Sequence, residues 1–419
     1  MHSQFLLDLA AELLQQVLKF QQAADTTVAA FFRQHRQLGV RERHALADTV
    51  YAVLRERLFF QHLAQGTNGP LERRLAILAW PDGGSALHSA LGPQEQAWLA
   101  QARSVDRSAL PEKLRHNLPD WLAAILQREL DEQFWPLVQS LGQGAPLDLR
   151  VNLLKAKRDD VQRELAAAAV ESDPTPYSPW GLRLHGKPAL HKVAAFEAGA
   201  FEVQDEGSQL LALLTDAKRG EMVVDFCAGA GGKTLALGAA MRNTGRLYAF
   251  DVSGHRLDAI KPRLARSGLS NVHPVQIAHE RDDRIKRLTG KVDRVLVDAP
   301  CSGLGTLRRN PDLKWRQSPA LLSDLLARQA AILRSAARLL KPGGRLVYAT
   351  CSLLQSENEQ VAEAFTAEQG ASFEVLPAQG LLEAGRVAAA ADLVSGPYLR
   401  LWPHRHRSDG FFAAAWRRS

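Results

Sequence analysis

Apolar residues recur at three- and four-residue spacing along the first third of the chain. Leu6, Leu9, Leu13, Leu14, Val17 and Leu18 form one series, and Tyr51, Leu54, Leu58 and Phe59 mark another within Ala45–Leu63. That period places side chains on one face of a helix, so residues 5–65 read as amphipathic helices. Gly66-Thr67-Asn68-Gly69-Pro70 ends the second series. Leu71–Trp80 forms a further short helix, stopped by Pro81-Asp82-Gly83-Gly84, and residues 85–143 continue the helical pattern with breaks at Pro111, Pro119 and Pro136. No strand is predicted before residue 145, and no internal repeat is visible.

The period then changes. Leu147–Leu153 alternates as a strand does, Asp159–Val170 suits a short helix, and Asp173–Pro179, with its three prolines, suits a loop or linker. Trp180–His185 and Phe201–Gln204 are further strand candidates, so residues 144–205 read as a small α+β subdomain. From Met222 the rhythm is strand, turn, helix. Strands are predicted at Met222–Phe226, Arg246–Asp251, Val272–Ile277, Val292–Asp298 and Arg345–Thr350. Helices are predicted at Lys233–Met241, His255–Ser267, Pro319–Leu340 and Glu357–Glu368, and Lys341-Pro342-Gly343-Gly344 makes a tight turn. Such alternation implies a parallel, doubly wound α/β sheet of Rossmann-like type over residues 206–419. Tyr398–Trp402 and Phe411–Trp416, joined through Arg407-Ser408-Asp409-Gly410, suit an antiparallel hairpin at the sheet edge. Three domains follow: residues 1–143, 144–205 and 206–419.

Composition excludes several classes. With 419 residues, 46% hydrophobic and 23% charged, the chain has the make-up of a multidomain globular protein rather than a disordered, collagenous or coiled-coil one. The net charge of +7 permits a polyanionic partner without naming one. No apolar run is long enough to span a membrane and the N-terminus lacks the pattern of a targeting segment, so a cytoplasmic protein is expected. Only Cys227, Cys301 and Cys351 are cysteines. Their odd number and wide spacing exclude a disulfide framework, and the absence of CxxC pairs leaves no zinc cluster, so no metal site is expected. Taken singly, each suits a buried core thiol.

The first βα turn gives the charge and the cysteines a context. Asp225-Phe226-Cys227-Ala228-Gly229-Ala230-Gly231-Gly232-Lys233-Thr234 is a glycine-rich turn opening a helix, where backbone and free N–H groups can approach a ligand. Asp251 ends the following strand, about 20 residues on, where a carboxylate can accept from ribose hydroxyls. An adenosine-containing cofactor is therefore expected, from one of three classes. Gly232-Lys233-Thr234 resembles the end of a phosphate-binding P-loop, and Val295-Leu296-Val297-Asp298 a Walker B strand, but Cys227 stands where the P-loop needs its first glycine. NAD needs a third glycine where Thr234 stands. S-adenosylmethionine needs no phosphate cradle.

Two further turns favour the last class. The strand Val292–Asp298 runs into Asp298-Ala299-Pro300-Cys301-Ser302-Gly303, and Arg345–Thr350 runs into Thr350-Cys351-Ser352. In a doubly wound sheet both cysteines arrive at the ligand-binding edge. Two thiols, a carboxylate and a methyl donor suit methylation at carbon-5 of a pyrimidine. That carbon becomes nucleophilic only after a thiolate adds to carbon-6, and a second group must then remove the carbon-5 proton.

These segments resemble the RNA cytosine carbon-5 methyltransferases of the Sun/Fmu and NOL/NOP group, in particular bacterial ribosomal RNA members with a helical, NusB-like N-terminal domain. The similarity also rests on Val203-Gln204-Asp205-Glu206-Gly207-Ser208, Arg308-Arg309-Asn310-Pro311-Asp312 and Asp409-Gly410-Phe411-Phe412, and it covers roughly residues 145–419. It implies a class I methyltransferase fold, S-adenosyl-L-methionine as cofactor, and a ribosomal RNA substrate, the small-subunit RNA foremost. By resemblance, Cys351 is the nucleophile, Cys301 assists elimination, and Asp298 holds the cytosine edge near the donor methyl. Cys227, Ala228, Gly229, Ala230, Gly231, Gly232 and Lys233 would wrap the methionine part, and Asp251 would take the ribose. Two departures stand out: Ala230 occupies a usual proline position, and His279 the place of an acid that contacts adenine, for which Asp282 or Asp283 could substitute.

Arg308, Arg309, Lys314, Trp315 and Arg316 place basic groups beside an aromatic, which suits phosphate contact and base stacking. Arg150, Asn152, Lys155, Lys157 and Arg158 lie on the α+β segment that resembles the family's RNA-binding subdomain. A cytosine must leave its stack to meet a thiolate, so a flipped or single-stranded base is implied. His404-Arg405-His406-Arg407 reads as a solvated turn. A monomer is expected. A nucleotide-hydrolysing nucleic-acid-binding protein and a non-catalytic RNA-binding assembly factor are the competing functions.

Overall fold

In the computed structural model, which describes residues 3–81 and 85–419, the chain divides into two compact units, Met1–Gly144 with Leu307–Pro319, and Ala145–Thr306 with Ala320–Ser419. The first unit is helical. Ser3–Val17 buries Leu9, Leu13, Leu14 and Val17 of the predicted series together with Leu7, while Leu6 is half-buried; it packs against Val40–Arg55, which buries Leu46, Val50, Val53 and Leu54, and against Leu71–Ala79. The predicted stop after that helix falls largely on residues 82–84, which lie outside the described residues. Pro136, predicted as a break, sits inside the helix Phe134–Leu141. It occupies the first turn, where its missing N–H has no helical partner to lose.

Leu307–Pro319 belongs to this unit although the sequence places it deep in the α/β region. Trp315 Nε1 donates to the Leu54 carbonyl at 2.7 Å, Lys314 Nζ to the Arg55 carbonyl at 2.8 Å, and the Ala24 N–H to Asp312 at 3.2 Å. Lys314 and Arg308 are buried, and burial lowers the Lys314 ammonium to about 7. The structure therefore corrects the expected stacking surface for Arg308, Lys314 and Trp315, which anchor the segment within the helical unit; Arg309 and Arg316 are half-buried.

The second unit holds two sheets. Strands β1 (Leu147–Val151), β2 (Ser172–Pro174), β3 (Gly181–Leu184) and β4 (Phe201–Val203) form an antiparallel sheet in the order β2-β3-β1-β4. Part of the expected proline-rich loop thus contributes a strand. The sheet is tied down by its polar residues. Arg150 is buried, its Nε donating to Gln204 at 2.7 Å, and Asn152 Nδ2 donates to the carbonyls of Gly199 and Ser267, both at 3.0 Å. Those two side chains are internal and cannot meet RNA as expected, whereas Lys157 is exposed.

The larger sheet contains β5 (Met222–Asp225), β6 (Arg246–Asp251), β7 (Val272–Gln276), β8 (Val292–Asp298), β9 (Leu340–Thr350), β10 (Phe373–Leu376), β11 (Val394–Ser395), β12 (Tyr398–Leu401) and β13 (Phe411–Arg418). Its order is β11-β12-β13-β9-β8-β5-β6-β7, with β10 also on β13. β9-β8-β5-β6-β7 pair in parallel, and β13 lies antiparallel to β9. The tail strands do pair antiparallel, but β13 is interior to the sheet. Between Val292↔Leu340 and Arg294↔Arg345 the register jumps, because the predicted turn Lys341–Gly344 bulges out of β9. Val224, Val295, Val297 and Leu346 are fully buried, as apolar runs in a parallel sheet covered on both faces must be. The helix Glu206–Thr215 is not among the predicted elements; nearly every residue in it is buried, so no amphipathic period marks it. No helix among the described residues is long and apolar enough to cross a membrane.

Candidate active site

The chain leaves β5 in one direction across the sheet and β8 in the other, so a crevice opens beyond the carboxyl ends of these adjacent strands. The turn after β5 folds back sharply at Gly231, whose φ of 81° is left-handed; an added Cβ would also lie 2.8 Å from Ile260. Neighbouring backbone fixes the turn: Ala228 N–H donates to the Phe250 carbonyl at 2.8 Å and Gly229 N–H to Asp251 Oδ2 at 2.9 Å. The Ser253 N–H occupies Asp251 Oδ1 at 2.8 Å. Each carboxylate oxygen accepts more than one hydrogen bond, so Asp251 is oriented by the protein with acceptor capacity to spare.

A cavity of about 880 Å³ fills this crevice. Cys227, Ala228, Gly229, Ala230, Gly232, Lys233, Asp251, His279, Asp298, Cys301 and Cys351 all line it, with Val252, Arg256, Glu280 and Arg328. The structure thus gathers the predicted residues at one place, with Gly231 shaping the turn behind them. Its glycine cradle, oriented carboxylate and apolar wall residue Val252 fit an adenosyl group. Asp282 and Asp283, the possible substitutes, do not line the cavity. Asp282 accepts from the N–H groups of Ala278 and Arg284 at 2.9 Å, and Asp283 pairs with Lys286 at 2.8 Å. Glu280 is the acid that lines the cavity beside His279, and no sequence signal singles it out.

The P-loop resemblance also resolves. Lys233 Nζ donates to Asp298 Oδ2 at 2.7 Å, and the Thr234 hydroxyl donates to Asp225 Oδ2 at 2.7 Å. Both side chains are engaged by carboxyl groups of the protein, Asp298 at the cavity wall and Asp225 buried behind it. Burial alone would lower Lys233, but the Asp298 charge and hydrogen bond outweigh it and its ammonium is held above the ordinary value. Burial raises Asp225 to about 7, against the opposing Thr234 hydrogen bond.

Cys301 follows β8 by three residues and Cys351 follows β9 directly. Because β8 and β9 pair with Asp298 opposite Ala349, the two turns meet and the sulfurs lie 3.4 Å apart. Contact with Cys351, then burial, then the Cys351 charge push the Cys301 thiol well up. Cys227 stands on the cavity wall, and burial likewise raises its thiol.

Beneath the thiols lies Glu357, which is fully buried and which the sequence does not single out. Its carboxylate accepts from the Ser302 N–H at 2.8 Å, from the hydroxyls of Ser302 and Ser352, and from Gln329 Nε2 at 3.0 Å. In the tail, His406 is buried, with its Nδ1 accepting the Trp402 N–H at 2.8 Å, and burial lowers His404 to about 4. The expected solvated turn is thus a helical one, Pro403–His406, with its histidines packed inward and Arg405 and Arg407 exposed.

A parallel sheet with this strand order, an antiparallel β13 and a glycine turn facing an acid on the next strand define the Rossmann-like, class I methyltransferase architecture. Residues 212–417 match the family model described as 16S rRNA methyltransferase RsmB/F, and residues 118–191 match the ferredoxin-like domain of the RsmF/B-like methyltransferases. The chain belongs to the RsmB/F methyltransferase family. A probable ribosomal RNA small subunit methyltransferase B of Synechocystis is 37% identical over 311 residues, covering 72% of this chain and 66% of the relative. Ribosomal RNA small subunit methyltransferase B of Yersinia pseudotuberculosis is 34% identical over 296 residues, covering 71% and 65%. The matched region spans just under two thirds of the length of these relatives. Among solved structures, PH0851 superposes with a TM-score of 0.82 at 26% identity over 100% of this chain and 99% of its own. A methyltransferase homologue from Pyrococcus horikoshii gives 0.63 at 28% identity over 75% and 100%.

Proposed function

We propose that this protein methylates carbon-5 of a cytosine in ribosomal RNA, in the small subunit, using S-adenosylmethionine. The observation that carries the reading is the pair of thiols in contact, 3.4 Å apart, on the wall of the same cavity as the glycine turn and Asp251. A single thiol could serve packing. Two thiols beside a Lys233–Asp298 ion pair, at the edge where such sheets bind ligands, suit addition to a pyrimidine and its reversal.

The glycine turn from Cys227 to Lys233 would face the methionine part of the cofactor. Asp251 would accept from the ribose, and His279 and Glu280 would face the adenine. Bound there, S-adenosylmethionine supplies an electrophilic methyl group. Asp298, anchored by Lys233, would orient the cytosine edge. The Cys351 thiolate would form a bond to carbon-6, moving electron density to carbon-5, which would take the methyl group as its bond to the donor sulfur breaks and S-adenosylhomocysteine is left. Cys301, once it has given its own proton to water, would then take the carbon-5 proton directly or through a water; the electron pair left behind would restore the carbon-5–carbon-6 double bond as the carbon-6–sulfur bond breaks, returning the Cys351 thiolate and 5-methylcytosine. The contact and charge of Cys351 are prominent among the causes that keep Cys301 protonated. Once the Cys351 sulfur is neutral and bonded to carbon, both weaken, so Cys301 becomes more acidic when elimination calls for a base.

The test uses small-subunit ribosomal RNA, the methyl donor and denaturing gels. Cys301→Ala should accumulate a covalent protein–RNA adduct, while Cys351→Ala should form none. Failure of both variants to form an adduct would remove the two-thiol mechanism.

A further inference from the structure

We propose that Glu357 is a positioning residue: its buried carboxylate bridges the two cysteine turns and holds the thiols in contact. The motion it restrains can be read from the chain. Ser302 and Ser352 each directly follow a cysteine, and their hydroxyls both donate to Glu357 while lying 3.2 Å from each other. The serine–carboxylate–serine bridge therefore runs alongside the Cys301–Cys351 contact, one residue away on each turn. Gln329 adds a brace, its Nε2 donating to both Glu357 and the Pro300 carbonyl at 3.0 Å. The backbone of Glu357 is held as well, its carbonyl accepting from the Tyr348 hydroxyl at 2.7 Å, and neighbouring Asn358 donates to the Ser352 carbonyl at 3.1 Å.

A fully buried carboxylate is costly unless donors surround it. Here Ser302 N–H, both serine hydroxyls and the Gln329 amide converge on it, and all of these residues are buried. A glutamine could keep only part of that set, because its own NH₂ must donate and meets donors. Glu357 does not line the cavity, so it acts through the turns and touches no ligand. The bridge also places a negative charge near Cys301, where it favours the protonated thiol.

The consequence for catalysis rests on the cytosine reading, but the geometry can be tested apart from it. Phenylarsine oxide bridges two thiols only when they are held close together. The full-length protein should capture it at one equivalent, and Cys301→Ala should abolish capture. Glu357→Gln should weaken capture about tenfold, and Ser302→Ala and Ser352→Ala should weaken it to a lesser degree, with S-adenosylmethionine binding unchanged in all three. Adding either serine change to Glu357→Gln should have little further effect, since the bridge is already gone. In methylation assays Glu357→Gln should lower kcat about 100-fold with KM for S-adenosylmethionine unchanged. Mass-spectrometric alkylation should also show the Cys301 pH midpoint shifted down, which loss of packing alone would not produce. If Glu357→Gln does not fold, the serine variants decide. Folded variants that capture the arsenical as well as the native protein does would overturn the proposal. Weakened capture in a protein that methylates no cytosine would uphold the positioning role and overturn the cytosine reading.

Discussion

The sulfurs of Cys301 and Cys351 touch at 3.4 Å although 50 residues separate them in the chain. The contact makes the two thiols chemically unequal, because Cys351 is the leading cause that raises Cys301. Replacing Cys351 with alanine should therefore move the pH midpoint of Cys301 alkylation downward, even though burial still opposes ionisation. Iodoacetamide pulses across a pH series, read by mass spectrometry at Cys301, check this. An unchanged midpoint would mean that the two sulfurs do not communicate.

That pair is legible in the sequence because each cysteine closely follows a strand whose apolar run is unmistakable, and the carboxyl ends of neighbouring parallel strands lie at one edge of the sheet. Asp251 and the glycine turn are legible for the same reason. Glu357 is not. In the sequence it opens the predicted helix Glu357–Glu368, where an acid ordinarily faces water, and only the three-dimensional meeting of Ser302, Ser352 and Gln329 makes it a hub. Trp315 and Lys314 mislead for a related reason. A basic-aromatic run has one appearance whether it waits for RNA or fills a gap in its own protein, and here Leu54 and Arg55 carbonyls take both side chains. Glu206–Thr215 escapes notice because burial on all sides erases the helical period.

The Lys233–Asp298 pair, at 2.7 Å, joins the cofactor-loop helix to the end of β8. Both side chains are largely shielded, at 11% and 30% exposure, so the bond is stronger than a surface ion pair. Lys233→Met should destabilise the protein by about 2 kcal/mol, the scale of a hydrogen bond to a charged group whose partner is left behind. Adding Asp298→Asn should recover about half of that, because the stranded charge is removed. Urea unfolding of the four proteins completes the double-mutant cycle, and a coupling below about 0.5 kcal/mol would show that the pair is not an energetic unit.

Gly305 offers a different probe of the Cys351 turn. Its N–H donates to the Cys351 carbonyl at 2.8 Å and its carbonyl accepts the Gly410 N–H at 2.8 Å. A Cβ at this position would lie 2.1 Å from the Gly410 carbonyl oxygen and 2.8 Å from that of Cys351. These are backbone atoms with no rotamer to change. Gly305→Ala should cost about 3 kcal/mol of stability, near the upper end for overpacking, and should also slow adduct formation at Cys351 in the Cys301→Ala background. Calorimetry and gel assays would show the idea wrong if the variant matched its parent in both.

Asp225 gives a pH dependence whose sign is fixed. Its carboxyl is buried at the end of β5 and is raised from an ordinary 3.8 to about 7, burial being the main cause. Between those two values the unfolded chain has released the proton while the folded protein still holds it. The native state binds more protons in that window, so this group's contribution is most favourable below about pH 4 and is lost as pH rises to about 7. Asp225→Asn removes the titration and keeps an oxygen to accept from Thr234, whose hydroxyl now donates to Asp225 Oδ2 at 2.7 Å. The thermal midpoint of the variant, measured relative to the native protein, should therefore climb steadily from about pH 4 to about pH 7 and level off above it. A difference that stays flat across that range would show that the buried carboxyl is already ionised at its start.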